Sequence, residues 1–232
     1  MISARSKFKL IKRGFRKDLL LVPGWATDYR IFEGLDLDYN YILPIELNLF
    51  NFEEDLAAFL KEEAILKVSI LGWSLGGFLA VEFASRNSER INELILLNIR
   101  RRYNLKILQD IEFKLERNKN AYLYRFYQDC FSPADRQSPI WFKKHLLKNY
   151  LSDIKLESLI SGIDYFSSVC LKPETLLTVE KIKIFHGGQD KIAPLKEAQI
   201  IKTYLPQAKL FVIPEAGHIL FLREDFKGYF HE

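Results

Sequence analysis

Val68-Ser69-Ile70-Leu71-Gly72-Trp73-Ser74-Leu75-Gly76-Gly77 is a short apolar run that breaks at a serine set among glycines, and helical spacing then continues through Ser85. A strand that turns sharply at Gly-x-Ser-x-Gly and opens a helix is a nucleophile elbow. The serine sits on strained backbone, and a β-carbon two residues to either side would collide with the neighbouring chain. Ser74 Oγ is therefore predicted to stand at the C-terminal edge of a sheet and at a helix N-terminus, where the free N–H groups and the dipole favour negative charge.

The same alternation extends outward from this stretch. Apolar runs ending in turn residues occupy Asp18–Gly24, Tyr41–Pro44, Leu94–Asn98, Ile182–Gly187 and Lys209–Pro214. Continuous apolar runs of this kind read as strands buried on both faces, hence as a mainly parallel sheet. Helical patterns lie between them at Glu53–Lys61, Leu75–Ser85 and Pro194–Leu205, with another from Ile219 to the C-terminus. Alternating strand and helix predicts a doubly wound α/β architecture. Phe8–Lys12, turning through Gly14, is expected to form an antiparallel edge hairpin.

The alternation stops across residues 101–171, where helical spacing runs throughout. Helices are predicted near Asn104–Asn120, Ala121–Phe131, Pro139–Leu151 and Glu157–Phe166, with Ser138 as N-cap and Pro139 in the first helical position. This organisation divides the chain into a core of residues 1–100 and 172–232 and an inserted helical cap of residues 101–171. The insertion holds 12 of the 32 aromatic residues. Tyr122, Phe126, Trp141 and Phe142 among them either line an acyl tunnel or form the packing core of the cap.

A chain of 232 residues with 48% hydrophobic and 28% charged side chains is long enough for one well-buried α/β domain with an insertion, and its composition excludes disorder and coiled coil. The net charge of +4 is unevenly spread: residues 100–155 carry 13 basic and 6 acidic side chains, whereas the flanking segments are slightly acidic. Such a basic surface suits an acidic partner, unless it is only a set of solvated helix faces. No zinc pattern, RNA-binding signature or basic heptad array points to nucleic acid. Seven basic side chains fall in the first twenty residues, and no apolar run follows that would make a secretory core or a membrane span. With only Cys130 and Cys170, both read as small buried apolar residues, the expected compartment is the cytoplasm with reduced thiols.

A serine nucleophile at neutral pH needs a base, and the histidines are His145, His186, His218 and His231. His218 falls between the last strand run and the last helical pattern, from where a loop reaches back over the sheet edge. His145 lies in the insertion, His231 sits beside the C-terminus, and His186 ends an apolar run, which suits a structural role. An acid must orient the imidazole and stabilise its charged form. Asp190 follows the next-to-last strand; the other projecting position, Asn98, is an amide and cannot supply the charge. The developing oxyanion needs two donors, for which the backbone N–H groups of Leu75 and Trp25 are the candidates. No phosphate loop or metal-ligand cluster competes, so neither a metal nor a cofactor is expected.

Taken together, these motifs resemble the α/β-hydrolase superfamily over essentially the whole chain, in which the triad order is also Ser, Asp, His. More narrowly, Gly72-Trp73-Ser74-Leu75-Gly76-Gly77 with Pro23-Gly24-Trp25 resembles the pimeloyl-[acyl-carrier protein] methyl ester esterases of biotin synthesis. Pro23 stands where that family has histidine, and Ile45-Glu46-Leu47-Asn48 replaces its usual D-x-P-G-x-G stretch. The resemblance implies Ser74, Asp190 and His218 as the triad, Trp25 and Leu75 as oxyanion donors, and an acyl methyl ester as substrate. It also implies that an acidic acyl carrier protein docks on basic cap residues, here Arg100, Arg101, Arg102, Arg125, Arg136, Lys143, Lys144 and Lys148. A generic small-ester carboxylesterase, a type II thioesterase and, from another class, a non-catalytic binding module of the same fold are the alternative readings.

Overall fold

The computed structural model describes residues 7–230. Its sheet has seven strands: β1 (Phe8–Ile11), β2 (Asp18–Val22), β3 (Asn40–Pro44), β4 (Val68–Trp73), β5 (Ile91–Leu97), β6 (Ile182–Gly187) and β7 (Lys209–Ile213). The order is β1-β3-β2-β4-β5-β6-β7, and every pairing is parallel except β1 with β3. All six residues of β4 are buried, as the uninterrupted apolar run requires of a central parallel strand. β1 is the antiparallel edge strand expected from sequence, but it forms no hairpin with β2. It pairs with β3 instead, Phe8 opposite Pro44 and Ile11 opposite Tyr41. The cause is Asn40, whose side chain accepts from the amides of Arg13 and Phe15 and donates to the Phe15 carbonyl and Asp18, folding the connection over the end of β3.

α1 (Phe52–Glu62) follows β3, α2 (Leu75–Arg86) follows β4, and α7 (Leu195–Tyr204) joins β6 to β7. Between β5 and β6 come α3 (Leu105–Asp129), α4 (Ser138–Phe142), α5 (Lys148–Asp153) and α6 (Leu156–Ser168), with no strand among them. The two helices expected over 104–131 are both present within α3, which breaks at Asn118: its backbone leaves helical geometry and its side chain accepts from the Ala121 amide, capping the second segment. α4 and α5 are joined by one π turn over Lys143–Leu147. Ser138 is not the N-cap: Gln137 holds that place, and the Ser138 hydroxyl donates to the Leu222 carbonyl.

The last helical pattern is also broken. A 3₁₀ turn at Leu220–Leu222 is separated from α8 (Phe226–Phe230) by extended backbone at Arg223. There the guanidinium bridges Asp135 and Asp225. Cys130 is buried and free, as expected, whereas Cys170 is exposed and free. His231 lies outside the described residues. Among those residues no helix is long and apolar enough to cross a membrane.

Candidate active site

Residue pairing places Trp73 beside Leu97 and Leu97 beside Phe185, so the ends of β4 and β5 lie level with Phe185 of β6. The next residues, Ser74, Asn98 and His186, therefore share the C-terminal edge of the sheet, and the Ser74 amide donates to the Leu97 carbonyl. Ser74 has φ 53°, in the left-handed region that a non-glycine residue occupies only when its surroundings force it. The forcing is visible at Gly76, where a β-carbon would stand 2.2 Å from the Val22 carbonyl oxygen, and at Gly72, where one would stand 2.5 Å from the Gly76 oxygen.

His218 and Asp190 meet. His218 Nδ1 lies 2.7 Å from Asp190 Oδ2, and both side chains are buried. The other carboxylate oxygen, Oδ1, accepts from the amides of Ile192 (2.8 Å) and Ala193 (2.9 Å), which fixes the plane of the carboxylate. His218 Nε2 is buried with no hydrogen-bond partner among the described residues, so the link to Ser74 is not closed. Hydrogen bonds of this kind are often long in the absence of substrate. Leu75 opens α2 and Trp25 lies in the loop after β2. Neither amide takes part in the described turn and loop hydrogen bonds.

The remaining histidines separate cleanly. His145 is exposed, its ring tilted against Trp141 and its Nδ1 2.8 Å from the Trp141 carbonyl oxygen. His186 is fully buried, and its Nε2 donates to the Ala193 carbonyl at 2.8 Å while standing 3.8 Å from Asp190. Burial holds its pKa below the ordinary 6.5 despite the pull of the Asp190 charge in the opposite direction. The folded protein thus binds fewer protons than the unfolded chain below about pH 6.5, and stability falls as pH drops through that region. His186→Gln is expected to flatten the decline of Tm between pH 7.5 and 5.5, measured by calorimetry; an unchanged slope would show that the loss arises elsewhere.

Several supporting residues carry no sequence signal of their own. Asn98, also at positive φ, donates to the carbonyls of Gly217 and His218 and accepts from the Gly187 amide, clasping the His218 loop to β6. Trp73 Nε1 donates to the His218 carbonyl at 2.8 Å. The His218 amide donates to the carbonyl of Cys130, at the end of α3, at 2.7 Å. Buried Asp135 accepts from the amides of Ser132 and Gly217. Tyr103 stands with Ser74 on one cavity. Its ring is held between Arg100, 4.2 Å from the centroid, and Phe166. Burial pushes the Tyr103 pKa up to about 12, against the lowering effect of Arg100, so the phenol keeps its proton.

That cavity, about 690 Å³, has apolar walls that include Ile107, Ile111, Tyr122, Phe126 and Phe166. Tyr122 and Phe126 thus face the cavity, while Phe142 is buried against Tyr127 and Tyr150, and Trp141 lies away from Ser74. Basic side chains also line it: Arg100 and Arg125 from the expected set, with Lys114, Arg117 and Lys191, which sequence reasoning did not single out. Arg101 is engaged with Glu197. Arg102, Arg136, Lys143, Lys144 and Lys148 are exposed and do not line the cavity. Among the described residues no cluster of three or more potential metal ligands occurs.

Residues 23–139 match the family described as having the alpha/beta hydrolase fold. Similar proteins include a pimeloyl-[acyl-carrier protein] methyl ester esterase from Vibrio parahaemolyticus, 25% identical with 89% of each chain covered. A protein of the same name from Nitrosomonas europaea is 25% identical, with 88% of this chain and 90% of that one covered. Among solved structures, an esterase from Exiguobacterium antarcticum superposes with a TM-score of 0.81 at 18% identity, covering 97% of this chain and 94% of that one. A bromoperoxidase from Bacillus anthracis gives 0.82 at 17% identity, covering 97% and 93%.

Proposed function

This chain belongs to the α/β-hydrolase family and is a carboxylic ester hydrolase, and from that premise we propose that it cleaves the methyl ester of a pimeloyl chain borne by an acyl carrier protein. The observation that carries this reading is the cavity at Ser74, apolar along its walls and basic in several of its lining side chains. An acyl chain suits the first property and an anionic carrier the second.

In this reading Ser74 Oγ attacks the ester carbonyl and passes its proton to His218 Nε2, while Asp190 stabilises the imidazolium that forms. The Trp25 and Leu75 amides take the oxyanion. His218 then gives that proton to the methoxy oxygen, which leaves as methanol, and water, deprotonated by the same imidazole, releases the acid from Ser74. Residues 101–171 act as the cap that covers this chemistry and meets the carrier, in the cytoplasm. The test is conversion of pimeloyl-carrier methyl ester to the free acid, followed by mass spectrometry. It is joined to rescue of biotin-independent growth in a strain lacking its own esterase. Hydrolysis of small esters without either result would reduce the protein to a generic carboxylesterase. That second reading draws support from the pairing of Arg101 with Glu197, Lys114 with Asp110 and Arg125 with Asp129, which neutralises part of the basic excess.

If the carrier is steered by these charges, kcat/KM for the carrier-bound ester falls steeply between low and moderate salt, since exposed charges are screened over about 10 Å at 0.1 M. A neutral small ester barely responds. Reversing Lys114, Arg117 and Arg125 together to glutamate is expected to lower carrier-bound turnover by about tenfold or more while sparing the small ester. Reversing Lys143, Lys144 and Lys148, which lie off the cavity, is the comparison that tells a mouth from a face: a larger loss there moves the docking surface to α4 and α5.

A further inference from the structure

Trp25 lies between two cavities. Trp25 lines the one that contains Ser74 and also a second, of about 540 Å³, bordered by Leu47, Leu49 and Gly162 and by the polar Glu46, Asn48 and Glu157. The indole is fixed on several sides. Nε1 donates to the Leu159 carbonyl at 3.0 Å, and the ring meets Phe126 edge-on with centroids 5.1 Å apart. A β-carbon on Gly162 would stand 2.4 Å from Cδ1, so only a glycine in α6 leaves room for the ring. A side chain held in this way acts as a wall, because swinging it aside costs a hydrogen bond and buried aromatic contact.

The two sides of this wall differ in what they offer an ester. Ser74 faces only the first cavity, whereas Leu75, the second oxyanion candidate, borders only the second. With the acyl chain in the Ser74 cavity and the carbonyl oxygen at the Trp25 and Leu75 amides, the alkoxy group is the substituent left to place. The second cavity, which Leu75 borders and Trp25 separates from Ser74, is a volume that a large one could use. We propose that the Trp25 side chain is a specificity-determining partition that confines the alkoxy side of the site to small groups, methoxy above all, by closing off the second cavity. This rests on the reading of the protein as an ester hydrolase with its acyl chain in the Ser74 cavity. It is separate from the role of the Trp25 backbone amide.

The test uses methyl, butyl and benzyl esters of one acid, hexanoic, with the full chain. Wild type is expected to favour methyl over benzyl by about tenfold or more in kcat/KM, the discrimination a filled apolar boundary gives. Trp25→Ala is expected to raise the benzyl-to-methyl ratio by about tenfold or more, and Trp25→Phe by less. The order of rates along a series of methyl esters from butanoate to octanoate stays as in wild type. The ratio within each variant is the readout, so a general loss of rate does not obscure it.

Wild type that takes benzyl and methyl esters equally overturns the proposal without any variant, which covers the case in which Trp25→Ala does not fold. Equal loss on all esters in Trp25→Ala and Trp25→Phe also overturns it, as does a shift in acyl-length preference in place of alkoxy preference. Failure of the underlying ester-hydrolase reading has a different signature, namely wild type that turns over none of the esters. Failure of the carrier assignment leaves the small-ester ratios untouched.

Discussion

Ser74→Ala is expected to lower kcat/KM for every ester by a factor on the order of 10³ or more, leaving only what oxyanion donors and binding supply. The loss follows from position. Among the described residues Ser74 carries the one hydroxyl on positive-φ backbone, which lies at the sheet edge and is enforced by Gly72 and Gly76. Alanine at the same φ carries the same strain and removes only the oxygen, so the variant should melt close to wild type. Hydrolysis of a short-chain p-nitrophenyl ester and labelling by a fluorophosphonate measure the effect. Both must vanish together; labelling that persists would identify another nucleophile. Ser74→Gly sharpens the argument, since glycine relieves the strain. It should be as inactive as Ser74→Ala and more stable.

The second large effect is expected for Asp190→Asn, with a loss of about 10³ to 10⁴ in kcat/KM and the fold retained. The reason lies in the two oxygens of Asp190. Oδ1 accepts from the amides of Ile192 and Ala193, so an asparagine keeps its carbonyl there and turns its NH₂ toward His218 Nδ1. A donor at that place forces Nδ1 to accept, and the imidazole proton moves to Nε2, the atom that has to receive the serine proton. The charge that would stabilise the imidazolium is lost as well. Steady-state kinetics, with circular dichroism to confirm folding, is sufficient. A near-wild-type rate would remove Asp190 from the mechanism and send attention to other acids, of which Asp164 on α6 is exposed.

The strands were legible because a central parallel strand writes its burial into consecutive residues, and β2, β4 and β6 begin within a residue of the apolar runs. Their order was not, since alternation of strand and helix says nothing about neighbours. The insertion of β3 between β1 and β2 depends on Asn40 reaching residues some 25 positions away. Ser74, Asp190 and His218 stood out because each follows a strand end, a place that sequence pattern marks. Asn98, Tyr103 and the Cys130 carbonyl did not, because their importance lies in contacts made across the fold. Asn98 was legible only as an acid that is missing; in the structure its amide, which both donates and accepts, is what ties the His218 loop to the sheet. Ser138 and the C-terminal helix misled for the opposite reason. Good local signals were overridden where the Ser138 hydroxyl found Leu222 and Arg223 found Asp135.

The tie between the His218 amide and the Cys130 carbonyl bears on how this architecture tolerates recombination. His218 hangs from the end of α3, Gly217 from Asp135, and Arg223 closes the same ring of contacts. Residues 130–135 thus travel with the His218 loop although they lie on the far side of β6 in the chain. A chimera that takes all of the helices between β5 and β6 from another parent exchanges the hook that suspends its own His218 loop. One that crosses over before Cys130 and again after Asp135 keeps the native hook and is free to vary the walls of the cavity. Diversification by segment exchange is therefore channelled into α3 up to its last turn and into α4 through α6, with residues 130–135 of the link between them inherited alongside the sheet.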